Sequence, residues 1–197
     1  MLRSNAHVRY RHDTEPGLRY ERPYPISERW MTTPLSELTT QLVALPPSER
    51  ASAINAFSGG LDAHLGLVFT WCAEDRVVAE LTTRAHHTQV YGLVHGGVYC
   101  SMVEAVGSCG AAMRHIPEGR LPVGIDNHTQ FLRGVRAGTT LTATGIPSRS
   151  DADGSTWTVR ILDQDGTLCA TGQLTTRALP PGRSVGGAAL RIPDPEQ

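Results

Sequence analysis

The stretch Gln89-Val90-Tyr91-Gly92-Leu93-Val94-His95-Gly96-Gly97-Val98-Tyr99-Cys100-Ser101-Met102-Val103-Glu104-Ala105-Val106-Gly107-Ser108 decides the architecture of this 197-residue chain. From Gly96 to Met113 the residues are almost all small or apolar, which predicts one long helix for the body of the protein. Glycines at a helix start serve either of two ends. They let another backbone pack closely, or they leave first-turn amides open to a ligand, where the helix dipole helps to stabilise an oxyanion. Glu104 is the lone charged residue between Gly96 and Met113. A carboxylate among Val98, Met102, Val103, Val106 and Cys109 is partly desolvated unless a partner compensates, which marks it as a candidate functional group. The alternative is a glutamate turned to solvent on an amphipathic helix. Ser108, one turn further, shares the Glu104 face and can orient it.

Outward from this helix the chain reads as strands. Leu67–Cys72 and Arg76–Thr82 are β-rich runs joined by the turn Ala73-Glu74-Asp75. Val123–Leu132, Thr139–Ile146, Ser155–Leu162 and Thr167–Thr176 follow the helix, with turns at Asp153-Gly154 and Asp165-Gly166. Trp157-Thr158-Val159-Arg160-Ile161 alternates as a strand with one buried face does. A lone helix among antiparallel strands is an α+β pattern in which the sheet must cover the helix. Further towards the N-terminus, Ser36 can cap a short helix over Glu37–Ala44. Pro47 opens another, with Ala51, Ile54 and Phe57 on one side and Gly59-Gly60 as its stop. Residues 1–30 read as an extended arm. The expected organisation is an arm with short helices over 1–55, a body over 56–178 and a flexible tail over 179–197.

Eighteen basic against nineteen acidic residues leave a formal charge of −1, which gives no reason to expect a nucleic-acid or membrane-surface partner. The four cysteines, Cys72, Cys100, Cys109 and Cys169, lack metal-ligand spacing and read as small buried hydrophobes of a reducing compartment. No apolar leader opens the sequence and no run approaches a membrane span, so a cytoplasmic location is expected. His86-His87, read on a strand, point to opposite faces and form no site alone. Asn127-His128-Thr129 matches a glycosylation sequon, which carries no meaning in a cytoplasmic protein.

Helix geometry adds a constraint on any shared chemistry. Gly96 and Glu104 lie eight residues apart, which at about 1.5 Å per residue separates them by ~12 Å. They cannot both reach one carbonyl from a single helix. If both act on it, two copies of the helix must meet, the amide from one chain and the carboxylate from the other.

The run Gly92-Leu93-Val94-His95-Gly96-Gly97, with an acidic residue nine positions after the histidine, resembles the signature of hotdog-fold thioesterases of the phenylacetic-acid-degradation (PaaI) type. Gln89, Glu104 and Ser108 resemble the aryl-CoA branch, which includes 4-hydroxybenzoyl-CoA and 1,4-dihydroxy-2-naphthoyl-CoA thioesterases. The similarity extends over roughly residues 60–178, including Gly124-Ile125-Asp126-Asn127 and Phe131-Leu132-Arg133. The resemblance implies an antiparallel sheet wrapped around one central helix and hydrolysis of an acyl-CoA by a homodimer or dimer of dimers. It implies no cofactor, coenzyme A being part of the substrate.

By the same resemblance the Gly96 amide forms the oxyanion hole, Gln89 helps to hold the carbonyl or the water, and Glu104 attacks directly or activates water. His95 shapes the oxyanion site or is purely structural. Gly97, Tyr99, Arg133, Arg149 and Ser150 are the implied substrate contacts. A guanidinium at Arg133 suits the phosphates of coenzyme A, although an arginine there equally serves solubility. The family often carries a Gly-Arg turn where this chain has Arg149-Ser150-Asp151-Ala152-Asp153-Gly154, whose acidity weighs against nucleotide binding there. Two rival readings keep the fold. A hydratase would need a different Asp/His pair on the helix, and an acyl-CoA sensor would ordinarily carry a DNA-binding module that residues 1–55 do not resemble.

Overall fold

The computed structural model describes residues 41–57 and 60–180. The expected arm, the first half of the Glu37–Ala44 helix and most of the C-terminal tail lie outside the described residues. Two short helices, α1 (Pro47–Phe57) and α2 (Gly60–Leu65), precede β1 (Val68–Cys72) and β2 (Val77–Thr82). The long helix α3 (Gly96–His115) follows, then β3 (Leu121–Phe131), β4 (Thr140–Asp151), β5 (Gly154–Asp163) and β6 (Leu168–Leu179). The six strands form one antiparallel sheet in the order β1-β2-β4-β5-β6-β3.

The sheet curls around α3, which packs against strands across its width, from β2 to β3. This is the hotdog arrangement. The alternation expected at residues 157–161 is present: Trp157, Val159 and Ile161 point inward and are buried. They meet Met102, Val103, Val106 and Ala111 on the helix, with Leu81, Leu141 and Leu174 completing the core. A helix apolar on most of its circumference needs such a wrap, because a flat sheet would leave part of it in water.

Close approach of helix and sheet depends on small residues. A Cβ placed on Gly110 would sit 2.3 Å from the Trp157 ring, so only glycine fits there. The Trp157 indole is itself held by a hydrogen bond from Nε1 to Ser155 Oγ at 3.1 Å, and Ser155 is tied to Thr176 on β6. Helix α1 lies on β1, where the Asn55 side chain exchanges two hydrogen bonds with the Phe69 backbone, at 2.7 and 2.8 Å. The division expected at 55/56 therefore falls inside α1. Gly60 begins α2 rather than only ending α1. His86 and His87 sit on a 3₁₀ turn (Ala85–His87), not on a strand as the sequence suggested. The turn forms because His87 Nδ1 accepts a hydrogen bond from the Arg84 amide at 2.9 Å, and this leaves His87 buried and His86 exposed.

Strand β3 follows α3 in sequence yet lies at the end of the sheet, paired only to β6 among the described residues. Its outer edge runs for eleven residues. Ile125 (57% exposed) and Phe131 (56% exposed) stand on it, which is more apolar surface than a free edge usually presents. No helix among the described residues is long and apolar enough to cross a membrane.

Candidate active site

Glu104 lies half-buried on the face of α3 that looks towards β3. Two donors hold its carboxylate. Ser108 Oγ donates to Oε1 at 3.1 Å, as the one-turn spacing predicts. Asn127 Nδ2, on β3, donates to Oε2 at 3.2 Å and also to the Cys100 carbonyl at 3.1 Å. Thr129 Oγ1 donates to Asn127 Oδ1 at 2.8 Å, which fixes the amide with its NH₂ towards the helix. Asn127, Thr129 and Phe131 alternate along β3 and so share its helix-facing side.

Two local features make room for this arrangement. The β3–β6 register slips between Gly124 and Asp126, a bulge that re-aims the following residues. At Gly124 an added Cβ would come within 2.8 Å of Glu104 Oε1, so the strand can approach the carboxylate only because no side chain stands there. Asn127 was missed as a functional candidate in the sequence. Its signal was the parity it shares with Thr129 and Phe131, on a strand expected to follow the helix.

Glu104, Ser108 and Asn127 face a cavity of about 380 Å³, completed by Leu61 and Asp62 of α2 and by Cys100, Ser101 and Ala105 of α3. Its walls combine apolar surface with hydroxyls and two carboxyl groups. Burial pushes the Asp62 carboxyl above the usual aspartate range, and the charge of Glu104 adds to that shift.

The N-terminus of α3 forms the second part of the candidate site. His95 caps the helix: its Nδ1 accepts the Gly97 amide at 2.9 Å, and its own amide donates to the His87 carbonyl at 2.8 Å. The Gly97 amide is therefore engaged. The Gly96 amide has no acceptor among the described residues, and the Phe131 ring lies beside its Cα. A capped helix start with one free amide is a ready anion site. Gln89 begins the tight turn before it. Its backbone bonds Leu93 and Gly92, and its Oε1 accepts the Tyr91 amide, which leaves the Nε2 group free among the described residues.

The remaining candidates lie apart from Glu104. Tyr99 is buried against the core with its ring 6.0 Å from Phe131, and its hydroxyl, without a partner among the described residues, has its pKa pushed up to about 12, chiefly by burial. Arg133 is exposed and stands 3.9 Å from Asp163. Arg149 reaches Asp151 with Nε at 2.9 Å and Nη2 at 2.6 Å, and this pairing holds Asp151 below the usual carboxylate range. Both line a smaller cavity of about 140 Å³ with Thr156, Thr175 and Arg177, while Ser150 is exposed beside it. The local acidity noted in the sequence thus neutralises the arginine.

Comparisons with known proteins bear on the family and the fold. The sequence profile of the Thioesterase superfamily matches residues 91–170. The proofreading thioesterase EntH of Cronobacter sakazakii is 30% identical over 130 residues, covering 64% of this chain and 92% of that protein. Among solved structures, AziG of S. sahachiroi is 35% identical with a TM-score of 0.58, over 62% of this chain and 98% of the other. The E. coli PaaI protein, at 20% identity and a TM-score of 0.58, shares the fold over 74% of this chain and 96% of its own.

Proposed function

This chain belongs to the thioesterase superfamily and is a thioester hydrolase, and from that membership we propose that it cleaves an aryl- or fatty-acyl-CoA at a site shared by two copies of itself. The observation that carries this reading is the pairing of Glu104, held by Ser108 and Asn127, with a free Gly96 amide at the start of the same helix. The two lie ~12 Å apart along α3, too far for one thioester carbonyl. A second copy aligned along the free edge of β3 would cover Ile125 and Phe131 and satisfy the unpaired backbone there.

In this assembly the Gly96 amide of one copy binds the thioester oxygen as it gains charge, with Gln89 Nε2 beside it. Glu104 of the other copy attacks the carbonyl carbon or takes a proton from the attacking water. Ser108 and Asn127 hold its oxygens in place, so little reorientation is needed at the moment of reaction. His95 acts through the helix cap, since its Nδ1 is occupied by the Gly97 amide. No metal or redox group enters this scheme.

The test is release of free thiol from benzoyl-, naphthoyl- and C4–C16 acyl-CoAs. We expect turnover of at least one class, and a fall in kcat of roughly 100- to 10,000-fold in Glu104→Ala. Saturable binding without turnover would instead support an acyl-CoA sensor, and wild-type turnover in Glu104→Ala would remove Glu104 from the chemistry.

A further inference from the structure

The scheme above leaves Asp62 unused, although it lines the same cavity as Glu104. Helix α2 carries it there, packed on α3 beside Leu61. The two carboxyl groups have different surroundings. Glu104 receives hydrogen bonds from Ser108 and Asn127, whereas no donor reaches the Asp62 carboxyl among the described residues. Donors favour an anion that is fixed in direction, which suits a nucleophile. A partly buried carboxyl beside another negative charge takes up a proton more readily, which suits a group that accepts and returns one. Where two carboxyl groups share a site but differ in environment, their roles divide in the same way.

We propose that Asp62 is the proton-transfer group of this reaction, working in the step after Glu104 has attacked. The proposal rests on the thioesterase reading with Glu104 as nucleophile. Attack of the Glu104 carboxylate on the thioester carbon forms a mixed anhydride and breaks the carbon–sulfur bond, releasing the thiolate of coenzyme A. Asp62 then draws a proton from a water molecule in the cavity as the water oxygen bonds to the acyl carbon. The anhydride C–O bond breaks, Glu104 regains its carboxylate and the acid departs. The proton held on Asp62 passes to the thiolate. The sum is thioester plus water giving acid plus thiol, with no other reactant.

The test uses the full chain with benzoyl-CoA and the variant Asp62→Asn, which keeps the size of the side chain. We expect kcat to fall about 100-fold and KM to fall with it, with kcat/KM changed less than about threefold, because Asp62 acts after the acylation step. The first turnover should still release one thiol per site as a burst, and mass spectrometry should find the benzoyl group on the peptide containing Glu104. In Asp62→Ala, added formate or azide should restore part of kcat, an effect that a purely structural role would not produce. Unchanged kcat, or a rise in KM alone, would reduce Asp62 to a wall of the cavity and overturn the proposal. Failure of the underlying reading looks different: wild-type protein that turns over no acyl-CoA, or Glu104→Ala that retains activity.

Discussion

Asn127 holds Glu104 from a separate element, and this makes it the most informative single residue to change. Its Nδ2 bridges Glu104 Oε2 and the Cys100 carbonyl, so removing the amide frees the carboxylate on one side. A hydrogen bond to a charged group contributes about 1.5–3 kcal/mol, so Asn127→Ala should lower kcat/KM by about 10- to 100-fold with the fold intact. Asn127→Asp should lower it further, because it sets a second negative charge against Glu104. Steady-state kinetics with circular dichroism as the folding control checks both. Activity equal to wild type in both variants would show that Ser108 alone suffices. Glu104 and Ser108 were legible in the sequence because their contact is local, one helical turn apart within an apolar run. The Asn127 contact spans 23 residues between strand and helix, and it depends on a bulge that no local pattern announces. His95 was legible as an element of the helix start, but its bond from the Gly97 amide was not.

At the level of elements, α3 owes its position to the depth at which glycine lets it enter the sheet. Replacing Gly110 with alanine gains about 1 kcal/mol of helix propensity, yet the new methyl group would lie 2.3 Å from a Trp157 ring that Ser155 pins in place. Overpacking of this kind costs about 3 kcal/mol, so Gly110→Ala should destabilise the protein by about 2 kcal/mol net. Denaturant unfolding measures this, and a stabilised variant would mean that the ring can yield. The helix was readable because its composition is uniform and its neighbours are turns. Its end was placed at Met113, two residues short, since Arg114 and His115 break the apolar pattern while still belonging to the last turn. Strand β4 was read as ending at Ile146, yet it continues to Asp151 through a register shift between Pro147 and Arg149. The edge position of β3 was not legible, because strand order depends on long-range pairing rather than on sequence pattern.

For the molecule as a whole, acid should weaken the fold through His115. Its ring is fully buried, and neither nitrogen has a hydrogen-bond partner among the described residues. Burial, with Arg114 and Arg120 nearby, lowers its proton affinity, while Glu118 and Asp151 oppose this only in part. The unfolded chain therefore takes up a proton below the ordinary histidine value of 6.5 while the folded chain resists it. Stability from this source is complete above that pH and declines as pH falls towards the lowered value. Buried His87 adds a loss in the same direction, chiefly through desolvation. The raised proton affinity of Asp62 acts oppositely, favouring the fold as pH falls. His115→Leu should flatten the loss as pH falls below 6.5, read by denaturant unfolding at each pH, and an unchanged slope would place the titration elsewhere. The same whole-molecule view governs catalysis, because the ~12 Å between Gly96 and Glu104 makes a single copy insufficient in the proposed scheme. The most direct measurement is complementation between two inactive variants, Glu104→Gln and Gly96→Pro, the latter removing the amide hydrogen at a helix position where proline is favoured, with a ring for which the exposed Phe131 side chain must make way. Co-expressed with different tags and purified as a mixed dimer, they form one intact site and one doubly damaged site. The account expects about half of wild-type turnover from that dimer and almost none from either parent. A mixed dimer as inactive as its parents would contradict it and place both groups of each site in one chain.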